Sequence, residues 1–189
     1  MLSSAVSLVF LLAATQPQTN SAPGRLAPRT AQEQAWNSVS RSIAHVQSNK
    51  GLVTGLAVLI DDRGIFLAHQ VAMPSPEAQA TISGHLFTLK VLATDEQTQL
   101  VALQAQNWKP RAMPVIKVGS RELKEGETLL AATTTGPMQS ELVSNSRAGV
   151  MKPSLRYTPL QELKFERTPE GVGGALVFNA RGELVGVLG

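Results

Sequence analysis

A glycine-rich turn near the end of the chain has the residue pattern of a loop that presents a nucleophile. Small residues precede an apolar strand in Glu170–Leu176 (EGVGGAL), and the centre of the turn is Val172, between Gly171 and Gly173. A nucleophile on such a turn must carry a hydroxyl or a thiol to attack a carbonyl carbon. No Ser, Thr or Cys lies in residues 170–177, so the turn itself carries no group for acyl transfer.

The three histidines of the chain do not form a recognisable metal-binding motif. His45 lies in an apolar strand, which favours a core or edge position, and His85 follows Gly84 in a turn, which favours a solvated position. Zinc hydrolases use convergent ligands such as an H-E-x-x-H helix, and the sequence has none. It also lacks Cys and has no glycine-rich loop leading into a helix to hold phosphate. The sequence therefore predicts neither a metal nor a cofactor.

The composition is that of one globular, turn-rich unit. The chain has 189 residues, of which 43% are hydrophobic, with 15 Gly and 11 Pro. Its net charge of +3 is mild, and only 4% of the residues are aromatic. A nucleic-acid site usually shows as a concentrated basic patch, whereas Lys and Arg are scattered here. We therefore expect no nucleic-acid partner.

The first 22 residues favour export. Leu2–Ala14 is an apolar run of signal-peptide length that is too short to span a bilayer comfortably. Because no Lys or Arg precedes it, an uncleaved anchor that attaches the protein to a membrane and a buried helix remain alternatives. Residues 23–29 continue a polar, proline-containing stretch and are predicted to be a linker. We expect a periplasmic, cell-envelope or secreted protein.

The remaining residues, 30–189, predict an all-β domain with a short N-terminal helix. Thr30 and Glu33 have capping-box spacing ahead of a helical pattern over residues 31–40. Short apolar runs separated by turns then predict two sets of strands, and hence two barrels, over about 41–106 and 113–189. Asn107–Pro114 is expected to connect them. The predicted strands are Ser42–Gln47, Gly55–Ile60, Gly64–Ala68, Ala80–Ile82, Phe87–Leu92, Leu100–Gln104, Val115–Val118, Thr128–Ala132, Leu142–Ser146, Ala175–Phe178 and Leu184–Leu188.

The last predicted strand suggests that the second barrel is incomplete. It ends at Gly189 without a cap, and an open strand edge invites pairing with another chain. A longer native chain or a partner could supply the missing strand, and a homo-oligomer is one such arrangement.

Four stretches resemble the trypsin-like serine proteases, and in particular their HtrA/Deg branch. Gly55–Leu67 is similar to the pattern G-V-V-I-D-x-x-G-Y-I-L-T, and Ala93–Leu103 to G-x-D-P-x-T-D-L-A-V-L. Met113–Glu127 is similar to L-P-x-x-x-L-G-D-S-x-x-L-x-V-G-D, and Gly173–Val187 to G-G-P-L-x-N-x-x-G-E-V-I-G-I. The stretches follow one another in the family's order. The resemblance implies a double β-barrel.

The resemblance also implies that the catalytic triad is degenerate. In the family a serine attacks, an imidazole takes its proton and a carboxylate orients the imidazole. The ungapped comparison places Val71 at the histidine position, Gln99 at the aspartate position and Val172 at the serine position. The oxyanion-loop positions are Glu170, Gly171 and Gly173, and a carboxylate at the first would repel a developing oxyanion.

Two of these positions leave alternatives open. His69 lies two residues before Val71, and a local gap would make it a displaced base; otherwise it is a surface or hydrogen-bonded histidine. Gln99 could orient an imidazole as a neutral partner without stabilising its charged form. Asp95 matches a turn residue of the family and is expected to be structural.

Losing a triad serine lowers turnover by about six orders of magnitude, so the sequence predicts that the protein is not an enzyme. The expected function is to bind a protein or peptide in the cleft between the barrels, where strand edges can pair with an extended chain. Two alternatives stay open. One is an HtrA/Deg-like serine endopeptidase with a non-standard active site, and the other is a scaffold or oligomerisation module of the cell envelope.

Overall fold

The structure is a computed structural model that describes residues 29–48, 50–109, 113–120, 122–151, 156–166 and 173–188. For residues 29–32, 148–151 and 156–159 it describes the backbone alone. The predicted signal segment and most of the predicted linker lie outside the described residues, and so do Glu170, Gly171 and Val172. The described part of the chain has no helix with the length and apolar character that crossing a membrane requires.

In the part of the chain that the structure describes, one short helix precedes eleven strands. The elements are α1 (Arg29–Val39), β1 (Ile43–Gln47), β2 (Val53–Asp61), β3 (Ile65–His69), β4 (Glu77–Ile82), β5 (His85–Asp95), β6 (Leu100–Ala105), β7 (Thr128–Thr133), β8 (Gly136–Met151), β9 (Arg156–Phe165), β10 (Leu176–Phe178) and β11 (Leu184–Val187). Two 3₁₀ turns, Ser40–Ser42 and Gln70–Ala72, follow α1 and β3. The predicted all-β class with a short N-terminal helix is confirmed.

The first six strands close into an antiparallel barrel in the order β1-β2-β3-β6-β5-β4. Alternate side chains point inwards, as the burial of Val101, Leu103 and Ala105 along β6 shows. The largest fully buried side chains of this core include Phe66 and Leu59. Closure leaves the barrel without a free edge.

Among the described residues, the remaining strands form an open five-stranded sheet in the order β11-β10-β7-β8-β9. This half-barrel has β11 and β9 at its edges, which agrees with the expectation of an incomplete second barrel. An apolar layer of Val39, Leu56, Val58, Leu130 and Phe178, with further residues around them, joins the half-barrel to the outer face of the first barrel and to α1. The two β units therefore share this apolar layer, in addition to the separate apolar cluster of each unit.

One strand prediction for the second unit is wrong, and one strand of this unit was missed. Val115–Val118 is not a strand, because its hydrogen bonds are divided: the amide of Ile116 donates to Leu59 of the barrel, and Lys117 accepts from Leu184 of the sheet. The strand β9 was not predicted. It contains Pro159, which breaks the strand pattern but is tolerated because β9 lies at a sheet edge.

The connection predicted over Asn107–Pro114 begins as part of the barrel core. The Trp108 ring packs edge-on against Phe66 and Phe87, with centroids 5.5 and 5.7 Å away. Its indole N–H donates to the carbonyl of Asp62 at 2.8 Å. A Cβ added at Gly64 would lie 2.4 Å from the Trp108 ring, so glycine is required there for space as well as for its φ of 83°.

We therefore expect Gly64→Ala to destabilise the protein by roughly 2–4 kcal/mol, through left-handed backbone strain and overpacking against the indole. Gly84→Ala is the matched control, since Gly84 has a φ of 76° but no atom within 4 Å of the added carbon. The control should lose only about 1–2 kcal/mol. Urea unfolding at unchanged m value measures both losses. Equal losses in the two variants would contradict the proposed clash.

Candidate functional site

The structure brings Val71 against the glycine turn, although the two are far apart in sequence. Val71 lies in the 3₁₀ turn after β3 and is 56% exposed. A Cβ built at Gly174 would be 3.3 Å from its Cγ1 atom, and one built at Gly173 would be 3.8 Å away. Gly174 has a φ of 75°, and its amide donates to the carbonyl of Leu188 at 2.7 Å. The site thus lies where the barrel meets the half-barrel.

Two residues that sequence reasoning missed hold the 3₁₀ turn in place. A Cβ added at Gly55 would be 2.4 Å from the Cβ of Ala72, so only glycine lets the turn lie directly on β2. The hydroxyl of Thr54 donates to the carbonyl of Ala72 at 2.7 Å. In the sequence, Gly55 is only the first residue of a predicted apolar strand. No local pattern indicates its contact with Ala72.

Gln99 contributes through its backbone. It has a left-handed φ of 58°, which is uncommon for a residue with a side chain. Its carbonyl accepts the amide of Gln70 at 2.7 Å, and this bond ties the start of β6 to the 3₁₀ turn. The positions of Val71, Gln99 and the glycine turn are thus linked through contacts around one short segment.

His69 is positioned as a helix cap. It is 4% exposed, and its Nδ1 atom accepts the amide of Val71 at 3.2 Å. A neutral imidazole that accepts at Nδ1 carries its proton on Nε2, so neither ring nitrogen is ready to take a proton. Burial lowers the pKa of His69 because it disfavours the charged ring. This geometry fits the interpretation of a hydrogen-bonded histidine better than that of a displaced base.

The other sequence candidates lie outside this site. Asp95 accepts the Thr98 hydroxyl at 2.7 Å and the Gln97 amide at 2.9 Å, and these bonds, led by the one from Thr98, lower its pKa. It is the turn residue that was expected. His85 is exposed beside the β4–β5 turn. The expectation for His45 is wrong: β1 is paired on both sides, and the side chain of His45 faces solvent.

The site that the structure describes is apolar and compact. Within the described residues, no group of three or more His, Asp or Glu side chains is placed to hold a metal ion. The site is formed by the methyl groups of Val71 and Ala72, the backbone of Gly173 and Gly174, and the imidazole of His69. Its described surface can therefore contact an apolar group of a ligand and present backbone groups to it.

Comparisons with known proteins identify the fold. No family model matches the chain, and no curated protein matches it. A solved structure does: a crystal structure described as the Rv3671c protease in its inactive form superposes with a TM-score of 0.66. The match covers 85% of this chain and 83% of that one at 14% sequence identity. The chain has the trypsin-like double β-barrel fold.

The comparison contradicts the expectation that the protein is not an enzyme. A solved structure to which the chain is similar is that of a protease, and nothing in the described residues shows that the protein is inactive. The expectation relied on Glu170 and Val172, which lie outside the described residues.

Because the imidazole of His69 is buried, the stability of the protein should depend on pH. Since the pKa of His69 is lower in the folded protein, the unfolded chain binds a proton that the folded chain does not. Stability is then complete above about pH 6.5 and falls as the pH is lowered below it. In His69→Asn, the amide oxygen can still accept the Val71 amide but does not titrate. We expect urea unfolding of this variant to vary less between about pH 5 and 7 than that of the original protein.

His45→Asn is the matched control, because it replaces an exposed histidine that makes no cap. It should keep the pH dependence of the original protein. If His69→Asn kept that dependence as well, the cap would not be its source.

Proposed function

We propose that the protein binds an extended segment of another protein in the cleft between its two β units. The observation that carries this proposal is the position of Val71, whose exposed side chain lies against the Gly173–Gly174 turn. The motif order seen in the sequence supports placing the protein in the HtrA-like branch of the fold.

An edge of the half-barrel beside Val71 supports this mode of binding. Among the described residues, β11 pairs with β10 on one side, and the backbone hydrogen bonds on its other side are those of Leu184 with Lys117 and Gly119. The rest of the strand has a backbone edge on which an extended peptide could add a strand. The bond between Gly174 and Leu188 places the end of that edge next to Val71.

The exposed part of Val71 would provide apolar contact for such a segment. Burying a whole valine side chain stabilises a complex by roughly 1.5–2 kcal/mol, so covering the 56% that is exposed contributes about 1 kcal/mol. Backbone hydrogen bonds along β11 would set the register of the segment, and the contact with Val71 would favour an apolar residue at one position.

Val71→Glu should therefore weaken binding of a fluorescein-labelled casein peptide, measured by fluorescence polarisation, by about tenfold or more, because the complex must then desolvate a carboxylate. Leu92→Glu is the matched control, since Leu92 is also 56% exposed but lies on β5. Equal effects of the two substitutions, or no effect of the first, would count against the cleft as the binding site.

The similarity to a protease favours a second candidate function, hydrolysis of the bound segment. Acyl transfer requires a hydroxyl or thiol with an activating base. Thr54 carries a hydroxyl beside the 3₁₀ turn, and that hydroxyl donates to Ala72. If the protein hydrolyses peptides, a fluorophosphonate probe should label one Ser or Thr, and replacing that residue should abolish cleavage seen by mass spectrometry. Intact peptide and an unlabelled protein would restrict the function to binding.

Export and self-association are further proposals. The apolar run Leu2–Ala14 supports export through a signal segment, or attachment to a membrane. The open edges of the half-barrel support pairing with a second copy of the chain or with another envelope protein. Cell fractionation with N-terminal sequencing tests the first point. Light scattering tests the second, and a monodisperse monomer at all concentrations would contradict it.

A further inference from the structure

A cavity lies at the opposite end of the barrel from Val71. It has a volume of about 330 Å³ and opens between the β4–β5 turn and the residues that follow β6. The strand β3 separates the two places: Val71 comes after its last residue, whereas Ile65, its first residue, pairs with Gln104 near the cavity. The cavity is therefore independent of the cleft, and its volume lies within the range of small-ligand sites.

Apolar side chains in fixed positions form one wall of the cavity. Ile82, which is 1% exposed, and the rings of Phe87 and Trp108 belong to this wall. The hydrogen bond from Trp108 to Asp62 and its edge-on contacts with two phenylalanine rings hold the indole in place. A ligand that packs against a preformed aromatic wall loses little affinity to ordering of the site.

The rim of the cavity is polar and carries positive charge. His85, Lys109 and the side-chain carboxamides of Gln106 and Asn107 line it. No acidic side chain is part of the described lining. The side chains of all four residues carry N–H groups that can donate hydrogen bonds to a ligand. Gln79, also in the lining, donates to Thr88 at 3.1 Å and keeps its amide oxygen as an acceptor.

We propose that this cavity binds an apolar residue that ends in a free carboxylate, either as the C-terminus of a peptide or as a free N-acylated amino acid. The apolar side chain packs against Phe87 and Trp108, and the carboxylate meets Lys109 and His85 at the rim. The carboxamide groups of Gln79 and Asn107 complement the amide that precedes the carboxylate. This inference does not depend on the proposed function of the cleft.

The test is a nuclear magnetic resonance titration of the whole protein with four probes. The probes are N-acetyl-phenylalanine, its carboxamide, and a hexapeptide ending in phenylalanine as free acid or as carboxamide. The chain has two tryptophans, so each titration reads two indole N–H signals, which a Trp36→Phe variant assigns. We expect the signal of Trp108 to shift, while that of Trp36, a residue of α1 that packs against the apolar layer between the barrel and the half-barrel, serves as an internal control.

The free acids should bind about tenfold more tightly than the carboxamides, since one charge-assisted contact separates them. Lys109→Ala should remove this preference, and Lys124→Ala, an exposed lysine of the other β unit, should keep it. Leu86→Glu adds a negative charge to the lining and should weaken binding of the acids. Leu92→Glu, on the same strand but outside the lining, should not.

Binding of both free acids would support the proposal for both sources of the ligand. Binding of the hexapeptide acid alone would show that the cavity binds the C-terminus of a peptide. Equal affinity for acids and carboxamides would overturn the proposal, and so would an unchanged Trp108 signal with all four probes. A loss of affinity in Leu92→Glu that matched that in Leu86→Glu would overturn it as well, because the binding would then depend on overall charge.

Discussion

The apolar layer between the barrel and the half-barrel is the contact on which the rest of the structure depends. The strand β2 is buried on both faces: Ala57 and Leu59 point into the barrel, whereas Leu56 and Val58 pack against the half-barrel and α1. A strand covered on both sides must be apolar at successive positions, and Gly55–Ile60 is such a run. This shared layer fixes the position of the half-barrel relative to the barrel and so brings Val71 against the Gly173–Gly174 turn.

The geometry around Val71 follows from a second constraint, the close approach of the 3₁₀ turn to β2. Gly55 leaves the space that Ala72 occupies, and Thr54 and Gln99 hold the two ends of the turn by hydrogen bonds. His69 caps the same turn from within the protein. Four contacts thus direct one exposed apolar side chain, Val71, towards the glycine turn. Such an arrangement suits contact with a ligand, because the exposed group is held on a rigid support.

The sequence predicted the barrel well, for identifiable reasons. Strands such as β6 alternate buried and exposed residues, and alternation over several residues is a direct signal of a half-buried strand. The hairpin of β10 and β11 was also predicted, since Asn179 and Gly182 are turn formers and Asn179 indeed accepts the amides of Arg181 and Glu183. The segment Val115–Val118 has the same apolar character, but its backbone bonds to two different β units. Local sequence cannot distinguish that arrangement from a strand.

The candidate site was predicted only as a set of residue types. The sequence by itself determined that a valine stands at position 71, that residues 170–177 carry no hydroxyl or thiol, and that His69 lies close to Val71 along the chain. Only the tertiary structure decided that Val71 lies against Gly174, that the imidazole is a buried cap, and that Trp108 forms one wall of a cavity with Phe87. The physical reason is that residue types and spacing express local preferences, whereas these contacts join segments far apart in the chain, whose distances are set by strand register and by packing of the shared core.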